Sequence, residues 1–202
     1  MRKIIVLSFV SMDGVMQAPG GPQEDVEGAF PHGGWAVGYW DAVLDEVMGA
    51  QMGLPFDLLL GRRTYDIFAA SWPTLDPASP INRCVKYVAT SRPLPAETEV
   101  WKNSVSLDGD LPARIAALKS GEGPDLQVHG SGMLIQTLLK ADLVDELWLK
   151  TFPATVGTGK RLFAAGTLAA GWELTECRSS PAGVIVASYR RAGAVKKGTF
   201  GL

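Results

Sequence analysis

Short apolar runs alternate with segments of helical period along the 202-residue chain, the arrangement expected of βαβ units and a largely parallel sheet. Residues 4–10 form the first predicted strand, 56–60 the second, ending at Gly61, and 85–89 the third. A further short strand is predicted near Val100, and another at 126–129 that stops at Gly130-Ser131-Gly132. Leu147, Leu149 and Thr151 alternate with Glu146, Trp148 and Lys150. That strand has two unlike faces, and the face with Trp148 and Lys150 is expected to be open to a second subunit. Runs 172–179 and 184–190 flank Ser180-Pro181-Ala182-Gly183 and predict a C-terminal antiparallel hairpin.

Between the strands, Ala36, Trp40, Val43, Leu44, Val47 and Met48 follow the spacing of one buried helix face. A short helix is expected through Tyr65, Ile67 and Phe68, then a loop punctuated by Pro73, Pro77 and Pro80. Asp110 is placed to cap a helix with Pro112 in its first turn and Leu111, Ile115 and Leu118 facing inward. Leu134, Ile135, Leu138 and Leu139 mark the next helix. Residues 14–35 are glycine-rich and contain Pro19, Pro22 and Pro31; a connector this long is expected to be a functional lid or a mobile segment. Residues 1–191 read as one domain and 192–202 as a loose tail.

Composition removes several classes of function. Hydrophobic residues make up 47% and charged residues 20%, with 23 glycines and 13 prolines, a globular balance with many tight loops. A net charge of −2 gives no global footprint for nucleic acid. Cys84 and Cys177 lack CxxC spacing and the chain has two histidines, so neither a disulfide framework nor a metal site is encoded. Two reduced thiols fit a cytoplasmic protein. Arg2-Lys3 and the apolar run after them meet Asp13 without a cleavage site, which favours a buried strand over a signal peptide. No stretch of 18 apolar residues occurs, so no membrane span is expected.

Three predicted strands end in residues suited to phosphate: Gly61-Arg62-Arg63-Thr64, Thr90-Ser91-Arg92, and Gly130-Ser131-Gly132-Met133-Leu134. Glycine lets the backbone approach a ligand, a following helix offers free amides and the positive end of its dipole, and hydroxyls and guanidinium groups add donors. Each loop alone reads equally well as a turn and a cap, and neither GxGxxG nor GxxxxGK[ST] is present. Ligands collect at the carboxyl ends of strands in an open α/β sheet, so together the loops point to a nucleotide with several phosphates.

The ordered set Ser11-Met12-Asp13-Gly14, Gly61-Arg62-Arg63-Thr64-Tyr65-Asp66, Ser91-Arg92, Gly130-Ser131-Gly132 and Leu143-Val144-Asp145-Glu146-Leu147 resembles the dihydrofolate-reductase superfamily. Pro153, Gly157, Gly159, Leu162 and Phe163 narrow the resemblance to the branch of the riboflavin-biosynthesis reductase domain and its bacterial relatives. It spans about residues 3–190. It implies a dihydrofolate-reductase-like three-layer α/β fold with a mostly parallel central sheet, often dimeric, and NADPH as cofactor. Arg62, Arg63 and Thr64 would meet the 2′-phosphate and pyrophosphate, Ser91 and Arg92 would complete the 2′-phosphate pocket, and Gly130, Ser131, Gly132, Met133 and Leu134 would hold the pyrophosphate. Arginine and hydroxyl donors also favour a 2′-phosphate over the free ribose of NADH, which calls for an acid. Leu7 stands where the biosynthetic riboflavin reductases carry lysine. Asp45 stands 16 residues before Gly61, a workable spacing for the dihydrofolate reductase carboxylate, without its flanking Phe-Lys and Pro-Trp.

Reduction of a C=N or C=O bond needs a proton near the nicotinamide. Asp13, at the end of the first strand, and Asp45, on the first helix, are the catalytic candidates; Asp13 reads equally as a turn former before Gly14, and Asp45 also as a solvated helix residue. His129 reads as a cofactor neighbour or a satisfied histidine, and Trp35 and Trp40 as core or as stacking surfaces for a planar heterocycle. The expected activity is reduction of a small planar heterocycle of pterin, dihydrofolate-like or ribosylamino-pyrimidine type. The alternatives are a dinucleotide- or phosphometabolite-binding protein without turnover, and a dimeric scaffold without nucleotide affinity.

Overall fold

The computed structural model describes residues 1–94 and 101–201. Eight strands form one sheet in the order β4-β3-β2-β5-β1-β6-β8-β7. They are β1 (Ile4–Ser11), β2 (Phe56–Gly61), β3 (Lys86–Ala89), β4 (Ser104–Leu107), β5 (Asp125–His129), β6 (Glu146–Phe152), β7 (Trp172–Ser179) and β8 (Ile185–Arg191). The first six in spatial order are parallel; β8 runs antiparallel to β6, and β7 to β8. The expected sheet and hairpin are therefore present. Val100 lies outside the described residues, and the edge strand after it is Ser104–Leu107.

Helices cover both faces of the sheet. Alternate side chains of its strands feed three main cores. On one face α1 (Ala42–Gly53) packs Leu44 and Val47 against Phe152 of β6 and Val186 of β8. Beside it, α2 (Arg62–Leu75) and α3 (Pro80–Arg83) bury Tyr65, Ala69 and Ile81 against Leu58 and Leu60. On the other face α4 (Leu111–Ser120) and α5 (Gly132–Lys140) pack Ile115, Leu134, Ile135 and Leu138 against Ile4, Val6, Leu126 and Val128. These strands are covered on both sides, as parallel strands must be. Asp110 caps α4 as expected, accepting from the Ala113 amide.

Two helix boundaries differ from the sequence reading. α1 begins at Ala42, capped by the Asp41 carboxylate on the Val43 and Leu44 amides. Ala36 and Trp40 lie before it, Trp40 in extended backbone; Ala36 joins the same core without belonging to the helix. α2 continues to Leu75 with Pro73 in its last turn, three residues before its C-cap at Asp76. The long connector after β1 is also built rather than loose. Val15, Ala18 and Phe30 form a small core of their own. The buried Gln17 amide bonds the carbonyls of Asp25 and Glu27, accepts from the Lys160 amide, and its carbonyl takes the Trp35 indole N–H.

A further correction concerns β6. Lys150 is fully buried within its own chain, and Trp148 is half-buried and bonded to Glu146. The strand's alternation separates two covered faces, not an inner face from one open to a partner. Among the described residues no helix is long and apolar enough to cross a membrane.

Candidate functional site

Successive crossovers leave β1 toward β2 on one face and β5 toward β6 on the other, and β5 lies between β2 and β1. That reversal opens a crevice at the carboxyl ends of the strands. It holds a cavity of about 1480 Å³, lined by all three loops anticipated as phosphate-suited: Gly61–Thr64, Thr90–Arg92 and 130–134. The remaining walls come from β1 (Leu7, Ser8, Phe9), the long connector (Met16 to Gly20, Glu24, Asp25, Glu27), and α1 (Met48, Gly49, Met52).

Two of the loops brace one another. The Ser131 hydroxyl accepts from the Gly61 amide at 2.9 Å, and the Ser131 amide donates to Thr64 Oγ1 at 2.8 Å. Both Gly130 and Ser131 adopt left-handed backbone, with φ of 52° and 54°. A Cβ at Gly130 would stand 3.0 Å from Thr64 Oγ1, so the closeness of the loops as well as the backbone requires glycine there. Because Ser131 is turned toward Gly61, it does not cap α5. The first amides of that helix have no intrahelical acceptor, and Gly132, Met133 and Leu134 line the cavity. An anion fits such an end. Thr64 is thereby committed to the loop itself, and the sequence gives no sign of that brace.

The rim is rich in guanidinium groups, two of them already engaged. Arg62 bonds the Asp66 carboxylate at 2.8 Å and the Pro93 carbonyl at 3.1 Å, strapping the loop after β3 to the start of α2. Arg63 pairs with Asp25 at 2.9 Å and with Glu27, both on the long connector; Lys160 joins the same two carboxylates at 2.7 Å each. Lys160 first and then Arg63 hold the Glu27 carboxyl below its ordinary value. Ser91 and Arg92 are exposed at the rim, in a turn closed by Thr90 Oγ1 accepting from the Arg92 amide.

On the cavity floor lies a polar chain that sequence reasoning missed. Lys150 Nζ donates to Gln51 Oε1, and the Gln51 carbonyl accepts from Gln127 Nε2 at 3.1 Å. Gln127 Oε1 stands 3.0 Å from His129 Nε2. Since the Gln127 nitrogen is donating elsewhere, His129 Nε2 must carry the proton in this contact. Burial, and then the nearby Lys150 charge, push the His129 pKa down to about 3, so the ring is neutral. Burial pushes Lys150 down to about 7.

Neither candidate carboxylate lines the cavity. Asp13 accepts from Ser11 Oγ at 2.6 Å and from the amides of Val156 and Gly157 at 3.0 and 2.8 Å. The Ser11 hydroxyl first, then the two amides, hold its carboxyl well below the usual carboxylate range. This geometry makes Asp13 the anchor of the segment after β6. Asp45 is exposed on α1 and accepts from the Trp40 indole at 2.7 Å. Trp40 itself lines the cavity, while Trp35 packs edge-on against Phe152 and does not. Among the described residues, no group of three or more His, Cys, Asp or Glu could hold a metal ion.

The architecture is that of dihydrofolate reductase, shared with solved structures across nearly the whole chain. A protein of Shewanella sp. PV-4, described as a riboflavin biosynthesis protein, superposes with a TM-score of 0.65 at 21% identity, over 94% of this chain and 99% of that one. A pyrimidine reductase-like protein of Corynebacterium diphtheriae gives 0.63 at 13% identity, over 95% and 92%. Dihydrofolate reductase from Enterococcus faecalis, solved with NADP(H), gives 0.59 at 14% identity, over 94% and 96%. The family model of the RibD C-terminal domain matches residues 2–186, and the chain belongs to that family. No match was found among curated proteins.

Proposed function

We propose that the protein is an NADPH-dependent reductase of a small planar heterocycle of pterin or pyrimidine type, acting in the cytoplasm as a homodimer. One observation carries this reading: three strand-end loops, including the uncapped start of α5, line a single cavity at the crevice of the sheet. The family and the fold of its neighbours support it, one of those neighbours having been solved with NADP(H).

In this reading the amides of Gly132, Met133 and Leu134 receive the pyrophosphate. Gly61 and Gly130 let the backbone come close, and Ser131 and Thr64 keep the two loops in register. Ser91 and Arg92, with Arg62 behind them, meet the 2′-phosphate; Arg63 joins once it leaves its acidic partners. When bound, NADPH supplies a hydride. The chain's own contribution is to exclude water with the long connector and to seat the heterocycle over Phe9, between Trp40 and Met48, all of which line the cavity. Asp13 and Asp45 are bonded elsewhere, so this reading no longer gives them a part in proton transfer.

Thermal unfolding with NADPH, with NADH and with neither tests the proposal. A ligand at 100-fold its dissociation constant adds about 2.7 kcal/mol. At about 2–4 °C per kcal/mol for this length, NADPH should raise the midpoint by about 5–10 °C, and NADH by much less. No shift with either would end the nucleotide reading. Oxidation of NADPH across a panel of pterins and pyrimidines then separates reduction from binding alone.

A further inference from the structure

We propose that Lys150 is the substrate-binding cation of this cavity and selects a planar ligand carrying an anionic or enolate oxygen over a cationic aminopyrimidine. The inference deepens the reductase reading and rests on it for calling the ligand a substrate.

Two lysines among the described residues are wholly buried, and they differ in how they are satisfied. Lys86 Nζ donates to the carbonyls of Asn82 at 2.7 Å and Lys102 at 3.0 Å, and lies 4.6 Å from the centre of the Trp101 ring. It is a structural lysine. Lys150 Nζ has one hydrogen-bond acceptor among the described residues, the neutral amide oxygen of Gln51, and its distance to the Phe9 ring centre is 5.9 Å. An ammonium has three donors and is costly to bury without an acceptor for them. Lys150 lines the cavity, so the missing acceptor can come from a ligand.

Among the described residues no carboxylate pairs with Lys150. The strand register sets Lys150 beside Phe9 of β1 and Val186 of β8. From β5 comes the neutral His129, and from α1 come Gln51 and Met48. The carboxylates of α1 are engaged by other side chains: Asp45 with Trp40, Glu46 with Arg178. Of the other carboxylates lining the cavity, Asp25, Glu27, Asp66 and Asp108 are paired with Lys160, Arg63, Arg62 and Arg114, and Asp76 stands at the C-terminal end of α2. Glu24 accepts from the Gly20 amide. The floor therefore offers a cation and a neutral ring where an aminopyrimidinium would need an acid. A keto or enolate oxygen at the deep end of a flat ligand supplies the counter-charge. The lysine is closed to water, so the contact is made by its butyl chain swinging off Gln51. Burial places its pKa at about 7, so the cation is lost over the alkaline range.

The test is calorimetric titration of the whole protein with barbiturate, a planar pyrimidine that is anionic throughout, and with 2,4-diaminopyrimidine, at pH 6 and pH 9. Barbiturate is expected to bind at pH 6 and at least tenfold more weakly at pH 9, with no binding of the diaminopyrimidine. Lys150→Met should abolish barbiturate binding while keeping the NADPH-induced rise in unfolding midpoint and a midpoint no lower than the parent at pH 6. Lys150→Gln serves equally if the methionine variant does not fold. Absence of barbiturate binding at pH 6, its persistence in either variant, or its displacement by NADPH, which would put the anion on the phosphate loops, overturns the proposal. A missing NADPH shift in the parent protein would remove the reductase reading, while the barbiturate arm still decides whether Lys150 binds the anion.

Discussion

Asp13 couples one side chain to the order of a whole segment. Its carboxylate must be ionised to accept from Ser11, Val156 and Gly157 together, and those bonds keep its pKa below the ordinary range. A carboxyl depressed on folding stabilises the protein above its unfolded pKa, near 3.9, and loses that contribution as pH falls toward the folded value. Asp13→Asn is therefore expected to lower the unfolding midpoint at neutral pH, and the gap to the parent should shrink in acid. The NADPH-induced shift should survive, because the cavity does not include this residue. Thermal scans from pH 7 down to pH 3 read both effects; an NADPH shift that disappears would return Asp13 to the functional site. Lys150 shows what residue-by-residue reading misses. Period-two alternation sorts a strand into two faces, but whether the second is water, a partner or another layer depends on α1, whose packing is decided more than a hundred positions away.

At the level of elements, helix starts were legible where a single residue type enforces them. Gly130-Ser131-Gly132 before an apolar helix and Asp110 before Pro112 both stand where the sequence places them. The start of α1 was not, because Ala36 reaches the same core from just before a 3-10 turn as Leu44 does from the helix, and burial spacing cannot tell the two backbones apart. The long connector was legible as unusual, but not as an arm reaching the phosphate loops. Its Asp25 and Glu27 hold Arg63 through ion pairs that a bound phosphate would have to displace. Exposed pairs of this kind are worth about 0.2–1 kcal/mol each. The double change Asp25→Asn, Glu27→Gln should thus tighten NADPH binding by about two- to thirtyfold at low salt, the gain fading as salt screens the pairs. Fluorescence titration of NADPH measures this, and unchanged or weaker binding would mean that Arg63 serves only to moor the connector.

Across the whole molecule, the parallel core and the crevice at its reversal followed from the order of strands and helices, since few connections satisfy that order. The convergence of three loops followed with it. What stayed hidden were contacts between distant segments, Thr64 with Ser131 and Lys150 with Gln51, which no local spacing encodes. One further property belongs only to the assembled sheet. β7 ends it with eight residues, six of them exposed, paired on one side alone. An open strand edge is a template for another chain, and the proposed homodimer is expected to close through it, so that sedimentation in dilute solution gives twice the 21.5 kDa of one chain; a mass of one chain would refute it. Such a pairing runs about a two-fold axis and joins two sheets into one, yet the cavities draw their walls from the parallel strands β1 to β6, not from β7 at the seam. The two copies would be joined without sharing a wall, and each would fill as if the other were absent, giving hyperbolic saturation with no cooperativity between subunits.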